Sequence, residues 1–187
     1  MRLETVTKGL AFTALLGGVA RIGMAPSAEI WGTDSIQELL FGLVACLLMG
    51  VGIFGVFMHR ADKLGIVGLV SVILISISST LTTALVWSSM LGIGEEDHDY
   101  VATMQNFNSL TMLVGMIGFS VQTIRTRAYP IWTVVLFLLF PIMSFVPAVT
   151  DWATVAWGLS FVGFGYYALA KATGTATAPH SANFNGS

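Results

Sequence analysis

Charge is what this chain has least of. Lys and Arg number 8 and Asp and Glu 10 among 187 residues, 10% in all, against the roughly 25% of a soluble domain. The cations are dispersed rather than clustered, so there is no phosphate-binding patch and no nucleic-acid partner is expected. Cysteine occurs once, at Cys46, which excludes an internal disulfide and argues against a thiol relay or a Cys-ligated metal. His59, His98 and His180 all lie outside the long apolar runs. That leaves no pair of axial ligands for an intramembrane haem and no imidazole to activate a serine within a span. No carboxylate falls at mid-run, which disfavours a proton- or sodium-driven carrier, and no His-Glu zinc motif occurs. No cofactor is therefore expected.

What is abundant is apolar surface: 55% of the residues, with a mean hydropathy of +0.82. Uninterrupted uncharged runs cover 9–20, 39–58, 64–94, 100–124, 128–150 and 152–170. A helix needs about 20 residues to cross the hydrocarbon core, so the first run must extend past its own limits and take Arg21 with it. The expected fold is all-α, a polytopic six-transmembrane-helix bundle with helices at about 6–24, 37–58, 64–90, 101–124, 129–149 and 152–170. Residues 1–172 form one bundle, and 173–187, rich in Ala, Thr, Asn and Gly, form a flexible or partner-bound tail. No length is left for a separate soluble domain.

The charges that are present are sorted. Arg2, Lys8, Arg60, Lys63, Arg125, Arg127 and Lys171 would share one side of a membrane; Glu29, Asp34, Glu38, Glu95, Glu96, Asp97, Asp99 and Asp151 would share the other. Retention of positive charge on the cytoplasmic side then predicts six spans with both the N- and C-termini cytoplasmic. Trp31, Trp87, Tyr100 and Trp152 fall at the outer ends, and Tyr129, Trp132, Tyr166 and Tyr167 at the inner ends, as an interfacial aromatic belt requires. Arg2 and Lys8 ahead of an apolar stretch also fit a secretory signal, whose cleavage would leave five spans; the stretch is read here as the first span. Short inner connections, 59–63 and 125–128, predict antiparallel pairing of helices 2 with 3 and 4 with 5.

Three sets of residues could carry chemistry. Arg21 either snorkels to the outer face or pairs with Asp34 or Glu38, as structural glue or as an anchor for an anionic headgroup. Helices 3 and 4 share a polar seam in which Ser78, Thr82, Asn108, Thr111 and Gln122 recur at helical spacing. The seam is either an interhelical hydrogen-bonding surface or the lining of a path for a neutral solute. The outer loop Glu95-Glu96-Asp97-His98-Asp99 offers oxygen ligands and one imidazole for a metal, although it lacks the ligand alternation and shaping glycine of a calcium loop; a solvated acidic loop is the simpler reading. Pro141 and Pro147 should bend helix 5. Gly50, Gly52 and Gly55 in helix 2, and Gly158, Gly163 and Gly165 in helix 6, mark close helix contacts.

His59-Arg60-Ala61-Asp62-Lys63 after the Gly-rich second span, Arg125-Thr126-Arg127-Ala128-Tyr129-Pro130, and Gly163-Phe164-Gly165-Tyr166-Tyr167-Ala168-Leu169 together resemble small bacterial six-helix membrane proteins that lack an assigned activity. The resemblance implies a bacterial cytoplasmic membrane and brings no catalytic residue with it. The expected function is non-enzymatic: a multi-pass protein acting through helix packing, as an accessory or assembly subunit or as a homo-oligomer. A channel or facilitator for a small neutral solute along helices 3 and 4, or a lipid-modifying enzyme, are the competing readings. Expected partners are the lipid bilayer and either another membrane protein or further copies of the chain.

Overall fold

The computed structural model of the protein describes residues 3–93, 99–146 and 149–173. Within them the chain forms six helices: α1 (Leu3–Trp31), α2 (Ile36–His59), α3 (Ala61–Met90), α4 (Asp99–Thr126), α5 (Ile131–Ser144) and α6 (Thr150–Thr173). All except α5 are long and apolar enough to cross a membrane. Each helix packs on its neighbours in sequence, and α1 closes the ring by packing on α6 as well as α2. The pairs run antiparallel: Gly52 meets Ala14, Gly165 meets Ala11, Gly50 meets Ser79, and Gly115 meets Ile75. The α1 start, the α2–α3 and α4–α5 turns and the α6 end therefore lie together at one end of the bundle.

Glycine sets how closely α1 can sit. A Cβ on Gly18 would stand 2.6 Å from the carbonyl oxygen of Gly158, and a Cβ on Gly52 would collide with the Ala14 backbone. Backbone therefore touches backbone on both flanks of α1, as expected for helices that gain little from hydrophobic burial within lipid. The centre of the bundle is aromatic: Phe119, Phe137, Phe161 and Phe164 are fully buried, and Phe119, Phe137 and Phe161 each stand edge-on to Phe164. Large aliphatic side chains such as Leu47, Val51, Val70, Val114 and Val121 face outward, on helices long and apolar enough to cross a membrane.

Several boundaries differ from those expected. α1 begins at Leu3 and continues through Pro26 to Trp31 rather than covering 6–24. Pro26 removes one backbone donor, and one residue on Ser27 Oγ donates to the Gly23 carbonyl at 2.8 Å. α2 starts on an N-cap, Ser35, whose Oγ accepts from the Glu38 N–H at 3.4 Å, while the Glu38 carboxylate accepts from the Asp34 N–H at 2.8 Å. The α2–α3 turn shrinks to Arg60, and α3 bends at Gly65, whose φ of 55° and ψ of −156° suit glycine alone. α5 has 14 residues, bounded by Pro130 and Phe145, instead of reaching 149. Pro147 lies outside the described residues, as do residues 174–187 of the expected tail.

Two helix ends use the same motif with different residues. At the end of α3, Ile93 N–H donates to Ser88 O and Gly92 N–H to Ser89 O, with Gly92 at φ 73°. At the end of α4, Ala128 N–H donates to Thr123 O and Arg127 N–H to Ile124 O, with Arg127 at φ 50°. Both are Schellman caps, and the left-handed position that suits glycine holds an arginine in the second. Just beyond it, Tyr129 turns inward instead of joining the interfacial belt. Its hydroxyl donates to the Val56 carbonyl at 2.7 Å, satisfying one of the carbonyls that the end of α2 leaves without a helical partner.

Candidate functional site

Arg21 is buried at the contact of α1, α2 and α6, with 8% of its surface exposed. It lies ten residues before the end of α1, about 15 Å down the helix, and it does not snorkel to the outer face. α1 packs too tightly on both flanks for the side chain to run along the surface. Gly42 of α2 lies beside it: a Cβ there would stand 3.9 Å from Arg21 Nη1, an ordinary contact, and closer, 3.1 Å, to Met24 Cε.

The contacts of the guanidinium are soft. Nη1 donates to Cys46 Sγ at 3.8 Å, and Cζ sits 4.4 Å from the centroid of the Trp157 ring. Trp157 in turn stacks on Phe140, with centroids 4.3 Å apart and planes 26° from parallel. Glu38 exerts a longer-range electrostatic pull on Arg21, while its Oε2 accepts from Asp34 at the helix cap. Two buried donors at this point, Arg21 Nε and Trp157 Nε1, have no hydrogen-bond acceptor among the described residues.

These groups floor a cavity of about 450 Å³, within the roughly 300–1,000 Å³ of small-molecule sites. Its walls are Met112, Met116, Phe140 and Pro141, with Thr82 and Asn108 on one side. Exposed Leu110 and Leu113 of α4 and Ser144 and Phe145 of α5 form the rim. The opening follows from the short α5, which α4 meets less extensively than it meets α3. The chamber is thus apolar along its length, polar at its floor, and open toward the exterior between α4 and α5.

The polar seam resolves into two places. Asn108 Oδ1 accepts from Ser78 Oγ, and Asn108 Nδ2 donates to Thr82 Oγ1 at 3.0 Å. Thr82 Oγ1 donates to the Ser78 carbonyl at 3.0 Å. The three side chains clasp α3 to α4 and engage one another. Thr111 is buried, and Gln122 lies away from this cluster at the other end of α4. There Gln122 Nε2 donates to the Lys63 carbonyl at 3.4 Å, beside the bend at Gly65.

Glu95, Glu96, Asp97 and His98 lie outside the described residues. Asp99 opens α4, where its carbonyl accepts from Thr103 Oγ1 at 3.0 Å. Among the described residues no three His, Cys, Asp or Glu side chains come together as a metal-binding group.

Arg21 and the Thr82–Asn108 pair were separate candidates in the sequence; the fold places them on one cavity. Trp157 completes the site and was missed. Its signal was available: of five tryptophans, it alone falls well inside an expected span rather than at an interface. The chain matches no protein-family model, no curated protein and no solved structure.

Proposed function

We propose that the protein is a non-enzymatic, multi-pass protein of a bacterial cytoplasmic membrane, which binds an anionic amphiphile drawn from the bilayer into the α4–α5 cavity. The observation that carries this reading is the pair of buried donors, Arg21 Nε and Trp157 Nε1, without acceptors at the floor of an apolar chamber. A buried donor left unsatisfied costs about 1–3 kcal/mol, and a buried cation favours an anion at close range. A carboxylate supplies both acceptor atoms and the charge, and a hydrocarbon body suits Met112, Met116 and Phe140.

The charge layout supports six crossings with both termini cytoplasmic. α5 runs antiparallel to α6, from Trp132 beside Gly163 to Phe140 on Trp157. Cysteines introduced at Thr33 and Ala61 in a Cys46→Ser background should be labelled from the outside and the inside respectively; the reverse pattern contradicts this topology.

A neutral-solute channel has less support, because Ser78, Thr82 and Asn108 hydrogen-bond one another. A lipid-modifying enzyme also has less support, since among the described residues the lining offers no carboxylate, imidazole, amine or thiol to act as nucleophile or proton carrier. Oleate, as a long-chain carboxylate probe, should raise the melting temperature of detergent-solubilised protein, whereas methyl oleate should not. The oleate shift should vanish in Arg21→Met and in Leu113→Trp, which obstructs the rim. An equal response to both probes, or retention of the shift in both variants, overturns the reading.

A further inference from the structure

A further buried donor, Arg60 Nε, lies at the opposite end of the bundle, where α2 turns into α3 and α4 turns into α5. A cavity of about 230 Å³ there is lined by Arg60, Arg127, His59, Tyr129 and Tyr167, and among the described residues no carboxylate lines it. Arg60 Nε is buried and has no hydrogen-bond partner. Tyr129 is fixed as the cavity's inner wall by its bond to the Val56 carbonyl, with the His59 ring 6.4 Å away.

Arg127 reaches this cavity from a backbone position that disfavours it. α3 ends on the same cap with Gly92, and glycine at Arg127 would carry no steric penalty. A residue held in an unfavourable conformation on a cavity that a second arginine, Arg60, also lines points to a role for its side chain. Immediately outside the cavity, Ile131, Trp132 and Tyr166 are exposed, so an anion seated between the arginines adjoins an apolar surface suited to acyl chains.

We infer that this cavity binds the phosphate of an anionic phospholipid, Arg60 and Arg127 holding the headgroup while the acyl chains lie against Ile131 and Trp132. Guanidinium groups bind phosphate through charge-assisted hydrogen bonds, and basic cavities between membrane helices recognise anionic headgroups in this way. Among the described residues no carboxylate lines the cavity, so the two guanidinium groups favour a headgroup of net negative charge over a zwitterionic one. This site does not depend on the α4–α5 cavity.

The test uses the full chain in detergent, titrated with phosphatidylglycerol, phosphatidylcholine or inorganic phosphate, with melting temperature and native mass spectrometry as readouts. Phosphatidylglycerol should stabilise the protein and remain bound, and Arg127→Gly and Arg60→Gln should each weaken its retention about tenfold or more. Arg127→Gly should also melt at the same or a higher temperature than the parent without lipid, which separates loss of binding from loss of fold. Arg21→Met should keep the phosphatidylglycerol response, so a failed α4–α5 site leaves this result intact. Undiminished retention in both arginine variants overturns the inference. Equal protection by phosphatidylcholine, or by inorganic phosphate at the same concentration, also overturns it.

Discussion

The guanidinium of Arg21 lies 4.4 Å from the ring centroid of Trp157, and each of these side chains keeps a buried donor with no acceptor. Their contact joins α1 to α6 below the only cavity among those described that combines a buried cation with an apolar chamber. A desolvated cation–π contact contributes about 2 kcal/mol, whereas burial of an incompletely bonded cation costs several. Ligand-free protein therefore carries a net penalty at Arg21. Arg21→Met should be as stable as the parent or more stable by about 1 kcal/mol or more in lipid-free detergent, while losing its response to a carboxylate ligand. Chemical denaturation of both proteins checks this, and a large loss of stability in Arg21→Met contradicts it.

Asn108 is a clasp. Asn108→Leu removes the acceptor for Ser78 Oγ and the donor to Thr82 Oγ1, so stability should fall by about 0.6 kcal/mol for each interhelical bond. In a double-mutant cycle with Thr82→Val the two losses should be non-additive, because the substitutions share one bond. Strict additivity would place the pair outside a common network.

The helical order was legible because long apolar runs separated by charge leave few other folds, and the glycines of α2 and α6 read correctly as close contacts. Residues whose role depends on tertiary neighbours were harder to read. The first helix was bounded at about 6–24 by the length of one crossing, so its continuation through Pro26 to Trp31 was not read. Tyr129 follows the belt rule by position, yet the left-handed turn at Arg127 and Pro130 directs it inward to Val56. Arg21 could be located but not its surroundings, since its ring partner is 136 positions away along the chain.

Close packing of α1 on α6 gives a second stability prediction. A Cβ at Gly18 would stand 2.6 Å from Gly158 O, which is backbone and cannot rotate away. Gly18→Ala should cost about 1–3 kcal/mol. Gly9→Ala, where nothing lies within 4 Å, should instead stabilise by about 0.5–1 kcal/mol through helix propensity. Thermal melts of the two variants should move in opposite directions, and a shift of the same sign in both contradicts the packing described.

Tyr129, in the turn between α4 and α5, donates to Val56 O, and Tyr129→Phe should cost about 1 kcal/mol. Burial pushes its phenol above the ordinary tyrosine value, with the Arg60 charge opposing. A group whose value is raised on folding contributes fully below its unfolded value, about pH 10, and loses that contribution as pH climbs toward the raised folded value. The stability gap between parent and Tyr129→Phe should therefore be constant through neutral pH and narrow above about pH 10. A gap that narrows between pH 6 and 8 contradicts this assignment.

The most direct measurement of ligand binding at the α4–α5 cavity is covalent capture of a fatty acid that carries a photoactivatable group near the far end of its chain, with the labelled residues mapped by peptide sequencing. Head-first binding on Arg21 and Trp157 predicts labels on the α4 segment from Leu110 to Met116 and the α5 segment from Phe140 to Phe145, displaced by excess oleate and lost in Arg21→Met. Labels spread evenly over the outward faces of α2 and α3, unchanged by oleate or by Arg21→Met, would contradict it.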